Sequence, residues 1–137
     1  MMGTTSNAVH TAFRTALLLA GATKTAELAV LDGIDACENI SDRSLLIETV
    51  RSTIRRRTES PDVPDGINLL PPELRRLFGL QPKSRDCFVL RILVQLPPEV
   101  CAEFLDISIA DYEDALYGAL NQLSLLSAFE VARDAQE

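Results

Sequence analysis

Few side chains in this chain could do chemistry. His10 is the only histidine, and no cysteine or second histidine stands at ligand spacing from it. It reads as a solvated or capping residue near the start of a helix, not as a metal ligand. Cys37, Cys87 and Cys101 are odd in number, and none stands in a Cys-x-x-Cys pair. Each falls on an apolar helical face, where a thiol acts as a small hydrophobe, so they read as reduced core thiols of a cytosolic protein. Asp111, Glu113 and Asp114 suggest a cation site, but neighbouring helical carboxylates point apart, and a solvated acidic face is the plainer reading. No phosphate loop or G-x-G-x-x-G occurs, and no nucleophile-elbow glycines surround any Ser or Thr. The expectation is a non-enzyme with no cofactor and no metal.

Basic residues offer two further candidates. Arg55-Arg56-Arg57 form one run, and Arg75, Arg76, Lys83, Arg85 and Arg91 form a second set interleaved with Glu73 and Asp86. Either set could contact a nucleic-acid backbone or a partner, since Lys and Arg supply most of such affinity. The plainer readings are a helix C-terminus in solvent for the first and charge balance for the second.

The charge distribution limits these options. The 137 residues carry a net charge of −7, spread unevenly. Residues 1–60 hold seven bases and seven acids, and residues 61–96 hold five and four. Between Pro97 and Glu137 nine acids face a single base, Arg133, giving −8. An acidic end of this kind suits basic protein partners better than nucleic acid or anionic membrane. Apolar content is 47% and charged content 24%, which marks a globular chain rather than a disordered one. The N-terminus has no basic start followed by an apolar run of signal length, and no run of 18 apolar residues could span a membrane, so a cytoplasmic location is expected.

The elements that position these residues read as helices throughout. Thr4 to Ser6 offer N-caps for a first helix whose face is Val9, Phe13, Ala16, Leu17 and Ala20, and Gly21 ends it. Thr23 or Thr25 starts a second, with Ala26, Val30, Ile34 and Cys37 in register. Ser41 or Asp42 starts a third, faced by Leu46, Ile47, Val50 and Ile54 and closed by the arginine run. Residues 60–71, with Pro61, Pro64, Gly66 and Pro71, form a linker. A short helix with Leu74, Leu77 and Phe78 follows, then one opened by Pro82 that is apolar almost all round and is expected to be central. Pro97 and Pro98 open the next helix, a tight turn falls at Asp106-Ile107, and Ser108 caps a last helix reaching about Leu123. Its stripe of Tyr112, Leu116, Leu120, Leu123 and Leu126, extended by Phe129 and Val131, suits a core or a partner or homodimer face. The fold class is all-α, with two small modules (1–59 and 72–137) that pack together.

The last three helices resemble region four, the DNA-reading module, of bacterial RNA polymerase sigma factors of the extracytoplasmic-function type. The matching residues are Leu80, Arg85, Phe88, Leu90, Arg91, Leu96, Glu99, Ala102, Glu103, Leu105, Ile107, Ser108, Leu116, Ala119 and Leu123. Pro97, Cys101 and Asp106 replace the family's Ser, Ile and Gly. More weakly, Ala12-Phe13-Arg14, Ala16 to Leu18, Gly21, Ala26-Glu27 and Leu46 to Arg57 resemble region two. The resemblance implies a helix-turn-helix at about 97–123, partners such as core RNA polymerase or a regulatory protein, and base-reading positions at Ser108, Asp111, Tyr112, Glu113, Ala115 and Gly118. In place of the family's Thr, Val, Lys, Arg and Arg, this chain has Asp111, Tyr112, Glu113, Ala115 and Gly118. A helix start with three acids and no base is repelled by phosphates. Two functional readings stay open: a divergent sigma-like transcription protein whose DNA contact is weak, and an interaction module on the same scaffold that reads no DNA.

Spacing of the modules adds one expectation. The 12 residues 60–71 reach ~40 Å at full extension. Val63, Ile67, Leu69 and Leu70 would expose apolar surface if the linker hung free. The linker should therefore pack down, with the first and third helices joined to the last.

Overall fold

The protein is described by a computed structural model over residues 2–37, 42–59 and 65–135, with side chains given for 7–37, 43–57 and 65–124. Seven α-helices and no strand occur among these residues. α1 (Met2–Ala20) starts ahead of the expected caps at Thr4 to Ser6. It ends where Gly21 turns left-handed at φ 74° and donates to the Leu17 carbonyl at 2.7 Å. Glycine carries that conformation without a Cβ penalty. From Thr15 to Leu19 every residue of α1 is buried; the helix opened by Pro82 also contributes Cys87, Val89 and Leu90 to the core.

α2 (Thr23–Ala36) and α3 (Asp42–Glu59) fold back on α1 and on each other. They approach closely at Gly33. A Cβ there would lie 2.6 Å from Thr49 Oγ1 and 3.1 Å from Leu45 Cδ1. The buried side of α3 is partly polar: Thr49, Ser52 and Thr53 join Leu45 and Val50 inside, while Leu46, Ile47 and Ile54 sit at its margin. Ser52 donates to Asp32 and Thr53 to the Thr49 carbonyl, which satisfies two of these hydroxyls.

The described part of the linker is tied down, as expected, but not by all four apolar residues. Asp65 accepts the Thr23 N–H at 2.8 Å, capping α2 from 42 residues away in sequence. Gly66 donates to the Gly21 carbonyl at 2.8 Å. A short 3₁₀ turn (Ile67–Leu69) then delivers Leu70 into the core, leaving Ile67 half-buried and Leu69 62% exposed. Val63 and Ser41 lie outside the described residues.

α4 (Pro72–Arg75), α5 (Pro82–Phe88) and α6 (Pro98–Leu105) each open on a proline, whose fixed φ suits a first turn that needs no N–H. α4 runs on through a 3₁₀ turn, Arg76–Gly79. α5 runs on through a π turn, Val89–Leu93, closed by Val94 N–H to Val89 O at 2.9 Å. Gln95 then turns left-handed at φ 64°. This widened end swings Ile92 and Leu93 outward, and both are more than 40% exposed. α7 (Ile109–Ala135) lies against α5 and α6.

One continuous hydrophobic cluster runs from α1, α2 and α3 through Leu70, Leu77 and Leu80 into α5, α6 and α7. The halves do pack together. The joint differs from the expected one, however: α1 meets the π turn and α3 meets α6, while α7 makes its main contacts with α5 and α6. Three arginines of α3 rivet it. Arg43 donates to the Val94 and Gln95 carbonyls, Arg51 lies over the Phe104 ring at 5.4 Å, and Arg57 pairs with Asp86. No helix among the described residues is long and apolar enough to cross a membrane.

Candidate interaction site

The turn between α6 and α7 forms as the sequence suggested. Asp106 is left-handed at φ 56°, the Ile107 N–H reaches the Ala102 carbonyl at 3.1 Å, and the Asp106 N–H reaches Glu103 at 3.2 Å. That pair of bonds closes a helix C-terminus. Ser108 Oγ accepts the Asp111 N–H at 3.1 Å and caps α7. Two short-linked helices with a third, α5, behind them are therefore in place.

The arginines expected as outward contacts are mostly turned inward. Arg56 meets Asp32 at 2.7 Å and Arg55 meets it at 3.6 Å. The Arg56 hydrogen bond, then that of Ser52, holds the Asp32 carboxyl below its ordinary 3.8. Arg57 grips both oxygens of Asp86, at 2.9 and 2.6 Å, and also donates to the Leu19 carbonyl at 2.8 Å. Asp86 itself is buried. Arg85 stacks over Phe78 at 4.5 Å with its Nε enclosed, and burial lowers its pKa. Arg75 closes the carbonyls of Leu70 and Asn68. Arg91 is half-buried. Thus Arg56 and Arg57 are not a solvated terminus but tie α3 to α2 and to α5, while Arg55 stays largely exposed.

Asp86 was missed as a partner, although the sequence signals it. It sits in an apolar stretch, Asp86-Cys87-Phe88-Val89-Leu90, and a buried carboxylate needs a cation. Asp32, Arg43 and Arg51 carried no comparable signal.

On α7 the predicted positions divide sharply. Ser108, Asp111, Glu113 and Asp114 are exposed, Ala115 and Gly118 are half-buried, and Tyr112 is buried. Tyr112 shares a hydrogen bond with Cys101, and burial raises the pKa of both groups. It therefore belongs neither to a base-reading surface nor to an exposed partner face. Of the stripe, Leu116 and Leu123 are half-buried against the core and Leu120 is exposed. Among the described side chains the most exposed aromatic is Tyr117, at 67%, which the stripe omitted. The side chains of Leu126, Phe129 and Val131 lie outside the described residues. Cys87 and Cys101 are buried, with the Cys87 thiol pushed up to about 11 by burial, while Cys37 is half-buried.

Beside the acidic turn lies a cleft of about 490 Å³ between the start of α5 and α7. Gln81, Lys83 and Ser84 line one wall; Asp111, Asp114, Gly118 and Asn121 line the other. A second hollow, largely apolar, lies between α1 and α2 around Phe13, Val30 and Leu31. His10 stands at its edge and accepts a hydrogen bond from Arg14 at 2.9 Å. No group of three or more His, Cys, Asp or Glu able to hold a metal ion occurs among the described residues.

No family model matches this chain, and neither curated proteins nor solved structures give a match. The functional reading therefore rests on the chain's own surface: an exposed acidic turn at the start of α7, a polar cleft beside it, and Arg56, Arg57 and Arg85 engaged within the fold.

Proposed function

We propose that the chain is a protein-binding module of transcription regulation, built on a scaffold like that of extracytoplasmic-function sigma factors, and that it does not read duplex DNA. The observation that carries this is the exposed acidic turn of α7. Asp111, Glu113 and Asp114 stand in solvent where a reading helix of that scaffold carries donors and bases. Phosphate neutralisation supplies most non-specific DNA affinity, and this surface offers the opposite sign. Arg56, Arg57 and Arg85 are engaged inside the fold, by Asp32, by Asp86 and by the Phe78 ring, and so add little positive charge to the surface.

A gel-shift titration with duplex DNA at 50–200 mM salt tests it. The expected result is no sequence-dependent binding and no steep salt dependence. Sub-micromolar, sequence-dependent binding overturns the reading. Pull-down from the native host, probed for core RNA polymerase, then asks whether that enzyme or another protein is the partner.

A further inference from the structure

The cleft between α5 and α7 is rich in acceptors and, on a residue that is otherwise largely buried, holds one hydroxyl without a partner among the described residues. Ser84 is 8% exposed and lines the cleft. Its hydroxyl makes no hydrogen bond among the described residues, and it faces Gly118, whose Cβ would lie 3.6 Å away. Because residue 118 has no side chain, the cleft stays open down to that hydroxyl. Asp111 and Asp114 are three residues apart, so their carboxylates share the α7 face above it. Asn121 and Gln81 add amide oxygens. Lys83 forms no ion pair among the described residues, so the two carboxylates are not already neutralised from across the mouth.

We infer that this cleft receives the guanidinium of an arginine presented by a basic partner segment, a step that rests on the protein-binding reading above. A guanidinium brings five donors in a planar fork and no acceptor, which matches two carboxylates over a hydroxyl oxygen. An ammonium offers three donors from one point and fills the fork less well. Lys83 at the rim repels densely cationic ligands and favours a single inserted side chain.

The test is an NMR titration of the full chain at 50 mM salt with a blocked pentapeptide, one arginine between paired alanines. Amide shifts should centre on residues 81–84 and 111–122. Asp111→Asn with Asp114→Asn should weaken binding at least fivefold. Gly118→Leu, which fills the cleft and leaves every charge in place, should do the same, and a helical Gly→Leu change does not threaten folding. Lys83→Gln should tighten binding severalfold, and the lysine peptide should bind more weakly than the arginine one. Shifts spread over Glu99, Glu103 and Asp106 as much as the cleft, or unchanged affinity in Gly118→Leu, overturn the inference. If no peptide binds and duplex DNA does not bind either, the inference fails and the protein-binding reading stands. If duplex DNA binds specifically, that reading fails whatever the peptide does.

Discussion

Arg57 joins three helices through one side chain, so the loss of Asp86 is a damaging change at residue scale. Asp86→Ala leaves a half-buried guanidinium without its carboxylate, and the expected cost is about 3 kcal/mol, read as a lowered urea midpoint. Replacing both partners by apolar residues, Arg57→Met with Asp86→Leu, should cost less than either single change. A cost equal to the sum of the two would show that the ion pair contributes nothing. Asp32 sets a pH dependence. Its folded pKa lies below the ordinary 3.8, so its contribution is present above that value and is lost as the pH falls through the lower, folded one. Stability should fall on acidification through that range, and Asp32→Asn should flatten that part of the curve. The thiols separate by burial. At pH 8 one thiol, Cys37, should react with an aromatic disulfide reagent in the native state, and Cys87 and Cys101 should react only on unfolding. Burial of Cys87 and Cys101 was legible from their apolar neighbours. The pairing of Arg57 with Asp86 was not, because 29 residues separate them and nothing local names the partner.

Among the elements, proline starts and the Asp106 turn were readable because their causes are local: a fixed φ, a missing N–H, an N-cap hydroxyl. The π turn at Val89–Leu93 was not. Its apolar pattern promised one continuous central helix, but the widened turn breaks the period and exposes Ile92 and Leu93. Arg43, from another element, satisfies the carbonyls released there. At the α6 terminus an aspartate holds the left-handed position that glycine fills at lower cost. Asp106→Gly should therefore raise stability by about 0.5–1 kcal/mol, visible as a melting point a few degrees higher. The face of α7 offers a gain-of-function check. Asp111→Thr, Glu113→Lys, Ala115→Arg and Gly118→Arg together should raise duplex affinity at least tenfold at 50 mM salt. No gain would mean that this face is not presented as the scaffold requires.

At the scale of the whole molecule, the continuous core makes a definite size prediction. The radius of gyration of the monomer by small-angle scattering should be near ~14 Å, the value for a compact chain of this length. Two separated lobes would contradict the joint between α3 and α6. That the halves meet followed from a short, apolar linker. Where they meet did not, because the joint depends on Arg43, Arg51 and Arg57 pointing across it, and a helical arginine reads the same whether it faces solvent or a neighbour. The acidic surface, by contrast, was legible as composition alone, since the acids of α7 have almost no bases near them in sequence to pair with.

Exchange of halves between two copies is opposed by the anchoring of Asp65 and Gly66 to the α1–α2 corner. With those two residues held, a hinge for swapping is confined to 67–71, which spans at most ~18 Å. Extending it would also withdraw Leu70 from the core. A dimer of this chain should accordingly form through surfaces and not through traded helices. Gly66 is the lever. A side chain there collides with Leu17 Cδ2, 2.5 Å from the Cβ position, so Gly66→Leu should release the anchor. That variant, concentrated and slowly refolded, is the one expected to yield swapped dimers on size exclusion, while the parent chain should give none.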